Sequence, residues 1–269
     1  MSLPQQEIER YQTEGYAVAK TFFSEREIQA MRAELERFKR EGMLRNVATD
    51  GDGATHSTKV ENLQICPIGP RSDFYRALPF HPRLKEAVGS LIGRPFAFRL
   101  DQIFLKPGGR GAGTGWHQDN AYFKITDPSK GVGVWTAIHA ATIANGTLHI
   151  VPGSHRQAIP HSRDPNSDHH IHCIVDESRA VPVELPAGGV VFFNYGIAHS
   201  TRINTTDSER AGLALHFVHL SQLEGNDQMS GVIMVDAPDA TGGEKEYGVR
   251  VEGTWEQQVN RVLQEQVEA

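Results

Sequence analysis

The amino-acid sequence predicts a mainly β domain, a sandwich or barrel, with flanking helices packed on its outside. Three observations lead there. Helical periodicity is confined to the front of the chain, and short apolar runs broken by Pro, Gly, Asn and Asp fill the stretch from Pro95 to Leu220. No Pro- or Ser-rich linker parts the two regions, so one domain is expected over 1–269. It divides into a mostly helical flank over 1–94, a β core over 95–220 and a C-terminal extension over 221–269.

The first clear helix starts at Ser24, where Ser24 and Glu27 form the S-x-x-E capping-box pattern. Ile28, Met31, Leu35 and Phe38 then recur every three or four residues, one apolar stripe that should end near Gly42. Arg45 to Thr58, with Asp50-Gly51-Asp52-Gly53, lacks periodicity and is expected to be a loop. A second helix is expected over Pro82 to Ile92. Strands are expected over Ala97–Leu105 and Val132–Thr142, with a hairpin at Asn145-Gly146 returning through Leu148 to Val151. Further strands are expected over Val181–Leu185, Val190–Phe193 and Leu213–Leu220. Residues 156–180 are polar, carry His169-His170-Ile171-His172, and are expected to form a long loop that closes as a lid.

Composition excludes several functions. With 39% hydrophobic and 22% charged residues and a net charge of −6, the chain has no basic run, so no nucleic-acid partner is expected. No apolar window suits a signal peptide or a membrane span, and Cys66 and Cys173 are too few for a disulfide framework. A cytoplasmic enzyme with free thiols is expected. Nothing in the sequence speaks to its oligomeric state.

The chemistry centres on His117-Gln118-Asp119. On an extended segment residues i and i+2 share a face, so both side chains can reach one ion. With a second histidine they would complete the facial triad of oxygen-activating Fe(II) sites. The pair alone arises readily by chance, but its surroundings do not. Trp135 precedes Asn145-Gly146 and Val151-Pro152-Gly153-Ser154-His155. Pro186-Ala187-Gly188-Gly189 then leads to His199-Ser200-Thr201, and Arg210 follows. From about Gly15 to Leu220 this order of motifs resembles the phytanoyl-CoA dioxygenase family of 2-oxoglutarate-dependent oxygenases.

The resemblance implies a double-stranded β-helix of the jelly-roll, cupin-like kind, with His117, Asp119 and His199 as ligands of Fe(II). It makes Arg210 the partner of the distal carboxylate of 2-oxoglutarate, with Trp135, Thr201 and Gln102 beside the cosubstrate. An arginine suits that task independently, because its planar fork stays charged and binds a carboxylate through two bonds. Arg202, three residues after His199, would point to the opposite face. The implied reaction hydroxylates a small-molecule substrate with dioxygen and releases succinate and CO2. Asp119 argues against a halogenase, since halide-binding relatives leave that position without a carboxylate.

Two other readings stand beside it: a cupin-type metalloenzyme without 2-oxoglutarate, and a catalytically silent binding protein on the same fold. Arg210 opposes the first and the intact triad the second. The resemblance implies a reaction class and not a substrate. His155 belongs to a structural turn, and His149, His216 and His219 are expected to be packed strand residues. Gly108 to Gly115 lacks the G-x-G-x-x-G order and is expected to be a flexible approach to the metal strand. His139 would share a face with Trp135 on an unbroken strand, which places it on the substrate side.

Overall fold

The computed structural model describes residues 3–268. The front of the chain runs α1 (Gln5–Glu14), β1 (Tyr16–Ala19), α2 (Glu25–Arg40), β2 (Arg45–Asn46), β3 (Leu63–Ile65), α3 (Asp73–Ala77) and α4 (Pro82–Ile92). There follow β4 (Phe96–Lys106), β5 (Thr114–His117), α5 (Asn120–Phe123), β6 (Gly131–Ala137), β7 (Leu148–Ile150), β8 (His161–Arg163) and β9 (Ile171–Cys173). The chain continues through β10 (Val181–Val183), β11 (Val190–Asn194), β12 (His199–Thr201) and β13 (Arg210–His219). It ends with β14 (Ile233–Asp236), α6 (Glu244–Tyr247) and α7 (Trp255–Glu268). No helix among the described residues is long and apolar enough to cross a membrane.

Two antiparallel sheets face each other. The larger has the order β1-β11-β6-β13-β4-β3-β2, with β14 also paired to β4. The smaller has the order β10-β7-β12-β5. Period-two alternation gives each face of the large sheet its task. On β13, Ala211, Leu213, Leu215 and Phe217 pack outward with Ile28, Met31, Leu35 and Phe38 of α2, Leu84 and Val88 of α4, and Val259 and Val262 of α7. Trp135 and Ala214 point inward and meet Leu148 and Ile150 of the small sheet. Because β13 is covered on both faces, it reads in sequence as one continuous apolar run.

The local signals for α2 and α4 hold. Ser24 and Glu27 complete a reciprocal capping box, with Ser24 N donating to Glu27 at 2.7 Å. The predicted stripe is buried, and α4 occupies the predicted span. Glu27 also accepts from Trp255 Nε1 at 2.6 Å, which ties the C-terminal helix to α2. The 221–269 region thus supplies β14 to the large sheet and α7 to the helical layer, and the 1–94 flank supplies β1, β2 and β3 as well as helices.

The expected hairpin at Asn145-Gly146 is not one. β6 ends at Ala137 rather than Thr142, and β7 pairs with β10 and β12 in the other sheet. The reason is that β6 already has β11 on one side and β13 on the other, so no edge is free for a returning strand. Asn145-Gly146 is instead the corner where the chain changes sheets. Gly146 has φ +80°, and a Cβ there would lie 2.2 Å from the Arg202 carbonyl oxygen.

Two expected loops are also more structured than their composition suggests. Residues 156–180 contain the hairpin β8–β9, held to the 45–58 segment by Thr49 N donating to Asn166 O at 3.0 Å and Asp168 N to Val47 O at 3.1 Å. The Gly108–Gly115 stretch is fixed rather than flexible: Gly109 N donates to Thr206 O, and Asn204 N to Gly111 O, both at 2.8 Å.

Trp135 lies flat against Gly212, where an added Cβ would sit 2.4 Å from the indole ring. Gly212→Ala should therefore lower stability by about 1–3 kcal/mol, the usual cost of overpacking a filled interior. Urea unfolding checks this, and an unchanged midpoint would show that the indole has room to move.

Candidate metal centre and cosubstrate pocket

His117 is the last residue of β5 and His199 the first of β12, and the antiparallel register sets them directly opposite each other. Their rings lie 4.2 Å apart between centroids. The Phe193 ring, 4.5 Å from that of His199, backs the pair. Asp119 arrives by a different route from the one its spacing suggests. It is not on the strand: the chain leaves β5 at His117, and Asp119 has helical dihedrals, φ −58° and ψ −30°, at the start of α5. Tyr122 N and Phe123 N donate to its backbone carbonyl at 2.9 and 3.1 Å, so a helical turn aims the carboxylate back at the two histidines.

Asp119 Oδ1 lies 3.7 Å from His117 Nε2 and 3.8 Å from His199 Nε2. Those separations are too long for hydrogen bonds. One ligand atom from each of the three residues lies within 4.8 Å of the others, close enough to share one ion. The ring nitrogens are set for it. His117 Nδ1 meets the Gly115 carbonyl at 2.8 Å and His199 Nδ1 meets the Ile197 carbonyl at 3.1 Å. A carbonyl can only accept, so both Nδ1 atoms carry the proton and both Nε2 lone pairs face Asp119. Burial pushes both imidazoles down to about 4, which keeps them neutral at neutral pH. Two neutral imidazoles and one carboxylate are a donor set suited to divalent iron.

The three residues open on a cavity of about 350 Å³ between the sheets. Arg210, the first residue of β13, is fully buried and lines it. Its guanidinium donates to the Gly146 carbonyl and lies 5.5 Å from the Trp135 ring centroid, within cation–π range. No carboxylate among the described residues pairs with Arg210, and burial draws its pKa down to about 9. Such a cation is poised for an anion that enters from the cavity. Trp135, Thr201 and Gln102 line the same space; Thr201 Oγ1 is buried without a partner, and Gln102 Oε1 accepts from Gln64 Nε2 at 2.9 Å.

The structure thus gathers His117, Asp119, His199, Arg210, Trp135, Thr201 and Gln102 around one cavity. It does not bring His139 there. Because β6 stops at Ala137 and the chain bends, strand alternation no longer applies, and His139 Nδ1 instead accepts from Ala211 N at 3.1 Å. Arg32, Glu36, Lys39 and Glu209 supply its charged surroundings, so His139 is corrected to a residue outside the pocket. Arg202 pairs with Glu177 at the surface and is not among the residues that line the cavity. His155 is not among the clustered ligands.

Among the lining residues that the sequence reading gave no place at the site are two buried histidines. His170 reaches the cavity from the loop that joins β8 to β9. His216, expected to be mere packing, faces Asp119. Strand parity could have found it: Arg210 and His216 are six residues apart on one strand, an even spacing that puts both on one face.

Comparison with known proteins agrees with this geometry. The family model for phytanoyl-CoA dioxygenase matches residues 11–212. An ectoine dioxygenase from Bordetella parapertussis is 26% identical over 238 residues, covering 79% of this chain and 74% of that protein. Among solved structures, the non-haem α-ketoglutarate-dependent carbocyclase SnoK of nogalamycin biosynthesis superposes with a TM-score of 0.67 at 21% identity, covering 88% of each chain. EctD from S. alaskensis, solved with 2-oxoglutarate and 5-hydroxyectoine, gives a TM-score of 0.64 at 21% identity over 82% of this chain and 77% of that one. These two structures share the fold. With the family model spanning most of its length, this protein belongs to the phytanoyl-CoA dioxygenase family of Fe(II)- and 2-oxoglutarate-dependent oxygenases.

Proposed function

We propose that this enzyme hydroxylates a C–H bond of a small organic substrate, converting 2-oxoglutarate and dioxygen to succinate and CO2. One observation supports it above the others: a metal-competent His-Asp-His trio and a buried, carboxylate-free arginine face the same cavity. The arginine is what a cupin-type metalloenzyme without 2-oxoglutarate would not need. Bound Fe(II) supplies the activation of dioxygen. His117, Asp119 and His199 would hold it through Nε2, a carboxylate oxygen and Nε2, leaving the other positions open. Arg210 would fork onto the distal carboxylate of the cosubstrate, with Trp135 covering one side and the Thr201 hydroxyl free to donate.

The remaining lining mixes Leu100, Phe104 and Phe123 with Gln64, His170 and Arg45. That mixture suits a molecule with both apolar and polar parts. The 156–180 hairpin is proposed as the cover of this space. Tyr122 Oη accepts from Ile171 N at 2.9 Å, linking the hairpin to the turn that carries Asp119.

Three outcomes test these roles. Replacing His117, Asp119 or His199 with Ala should remove bound iron and turnover while circular dichroism stays native; full iron content in His199→Ala would refute the ligand set. Arg210→Ala should raise the 2-oxoglutarate concentration for half-maximal turnover at least a hundredfold, since stranding a buried carboxylate costs about 3–5 kcal/mol. Arg202→Ala should change it little, because that charge is exposed and paired at the surface. Finally, hydrogen exchange of residues 166–171 should slow when Fe(II) and 2-oxoglutarate are added anaerobically. Equal exchange with and without them would remove the hairpin from the closing step.

A further inference from the structure

Asp119 has a third imidazole beside it. Its Oδ1 faces His117 and His199, while Oδ2 is turned away from them, buried and without a hydrogen-bond partner. His216 Nδ1 lies 3.6 Å from that oxygen and is itself buried and unpartnered. The ring comes off the inner face of β13, where the Phe123 and Tyr195 rings hold it with centroids at 5.0 and 5.8 Å. Two complementary polar atoms left unpaired in an interior are costly, and each is the partner the other lacks. A carboxylate oxygen only accepts, and a neutral imidazole can place its proton on Nδ1. A small rotation of the carboxylate closes the gap.

We propose that His216 is a positioning residue that donates Nδ1–H to Asp119 Oδ2 and so restricts the carboxylate to one oxygen on the metal. An unrestrained carboxylate can bind a metal through both oxygens. In a three-ligand site that would occupy one of the positions that cosubstrate and dioxygen require. Parity on one strand gives Arg210 and His216 a common face, so β13 holds both the cosubstrate anchor and the group that keeps coordination positions free. The inference rests on the reading of Asp119 as a metal ligand.

The test uses the full chain titrated with Co(II), followed by 2-oxoglutarate. His216→Asn keeps an amide N–H near the place of Nδ1, and His216→Leu offers similar bulk with no donor. The leucine variant should bind Co(II) about 10- to 100-fold more weakly, the range typical of lost outer hydrogen bonds to metal ligands. It should also lose the change in the Co(II) visible spectrum on adding 2-oxoglutarate, while the asparagine variant keeps both. Equal losses in the two variants, or no loss in either, would overturn the role of His216. Asp119→Ala and His199→Ala separate the two levels: if either keeps Co(II), the ligand set itself fails. A measurement on the unaltered protein covers the case in which the leucine variant does not fold. Nitrogen-15 imidazole spectra of the Zn(II)-loaded chain should show His216 protonated at Nδ1, and a bare Nδ1 would overturn the proposal.

Discussion

One cross-strand pair governs this molecule. His199 and His117 are direct neighbours in the β12–β5 ladder, so backbone hydrogen bonding fixes where both imidazoles point. A slip of one residue would turn one ring to the other face of the small sheet and leave Asp119 with a single histidine. The register is protected from both sides. β12 also pairs with β7, where His199 stands opposite Ile150, and the Gln118 amide holds the turn after His117 by donating to Gln157 O at 2.8 Å and accepting from Ile159 N at 2.8 Å. The strand that carries His199 is thus held by a neighbour on each side.

Charge in the interior follows a similar logic. Arg210 is buried without a carboxylate, and Lys106, one strand away and also buried, is satisfied only by the Ala112 and Arg202 carbonyls. A protein that had no anion to bind would gain by replacing such groups with apolar side chains. A buried Arg210 without a carboxylate, on the same cavity as three metal-competent ligands, makes sense if a dicarboxylate completes the balance. The cation–π contact with Trp135 and the carbonyls at the Asn145-Gly146 corner hold the guanidinium in the meantime.

What could be read from the sequence divides by range. The capping box of α2, its apolar stripe and the span of α4 depend on neighbours a few residues away, and they were legible. That His117, Asp119, His199 and Arg210 gather around one cavity was legible because their motifs follow a recognisable order and spacing. The path at Asn145-Gly146 was not: whether a turn makes a hairpin or a corner depends on which strand edges are already occupied, here by β11 and β13, far off in sequence. His139 was misplaced for a related reason, since alternation was carried past the end of β6. His216 was missed although the same alternation applied to it, because a histidine in an apolar run looks like packing until its partner is known. The helical C-terminus carried no motif, and its role shows only in contacts far off in sequence: Trp255 with Glu27, and Val259 and Val262 with the helical layer.

The two sheets divide the chemistry between them. His117 and His199 belong to the small sheet, and Arg210 to the large one. A cosubstrate gripped at one end by the metal and at the other by Arg210 would be a crossbar between the two layers. Loading such an enzyme would brace the two sheets against each other, and spending the cosubstrate would release them. Each turnover would then be accompanied by a cycle of mechanical tightening and release across the interior, with product escape favoured at the moment the brace is gone.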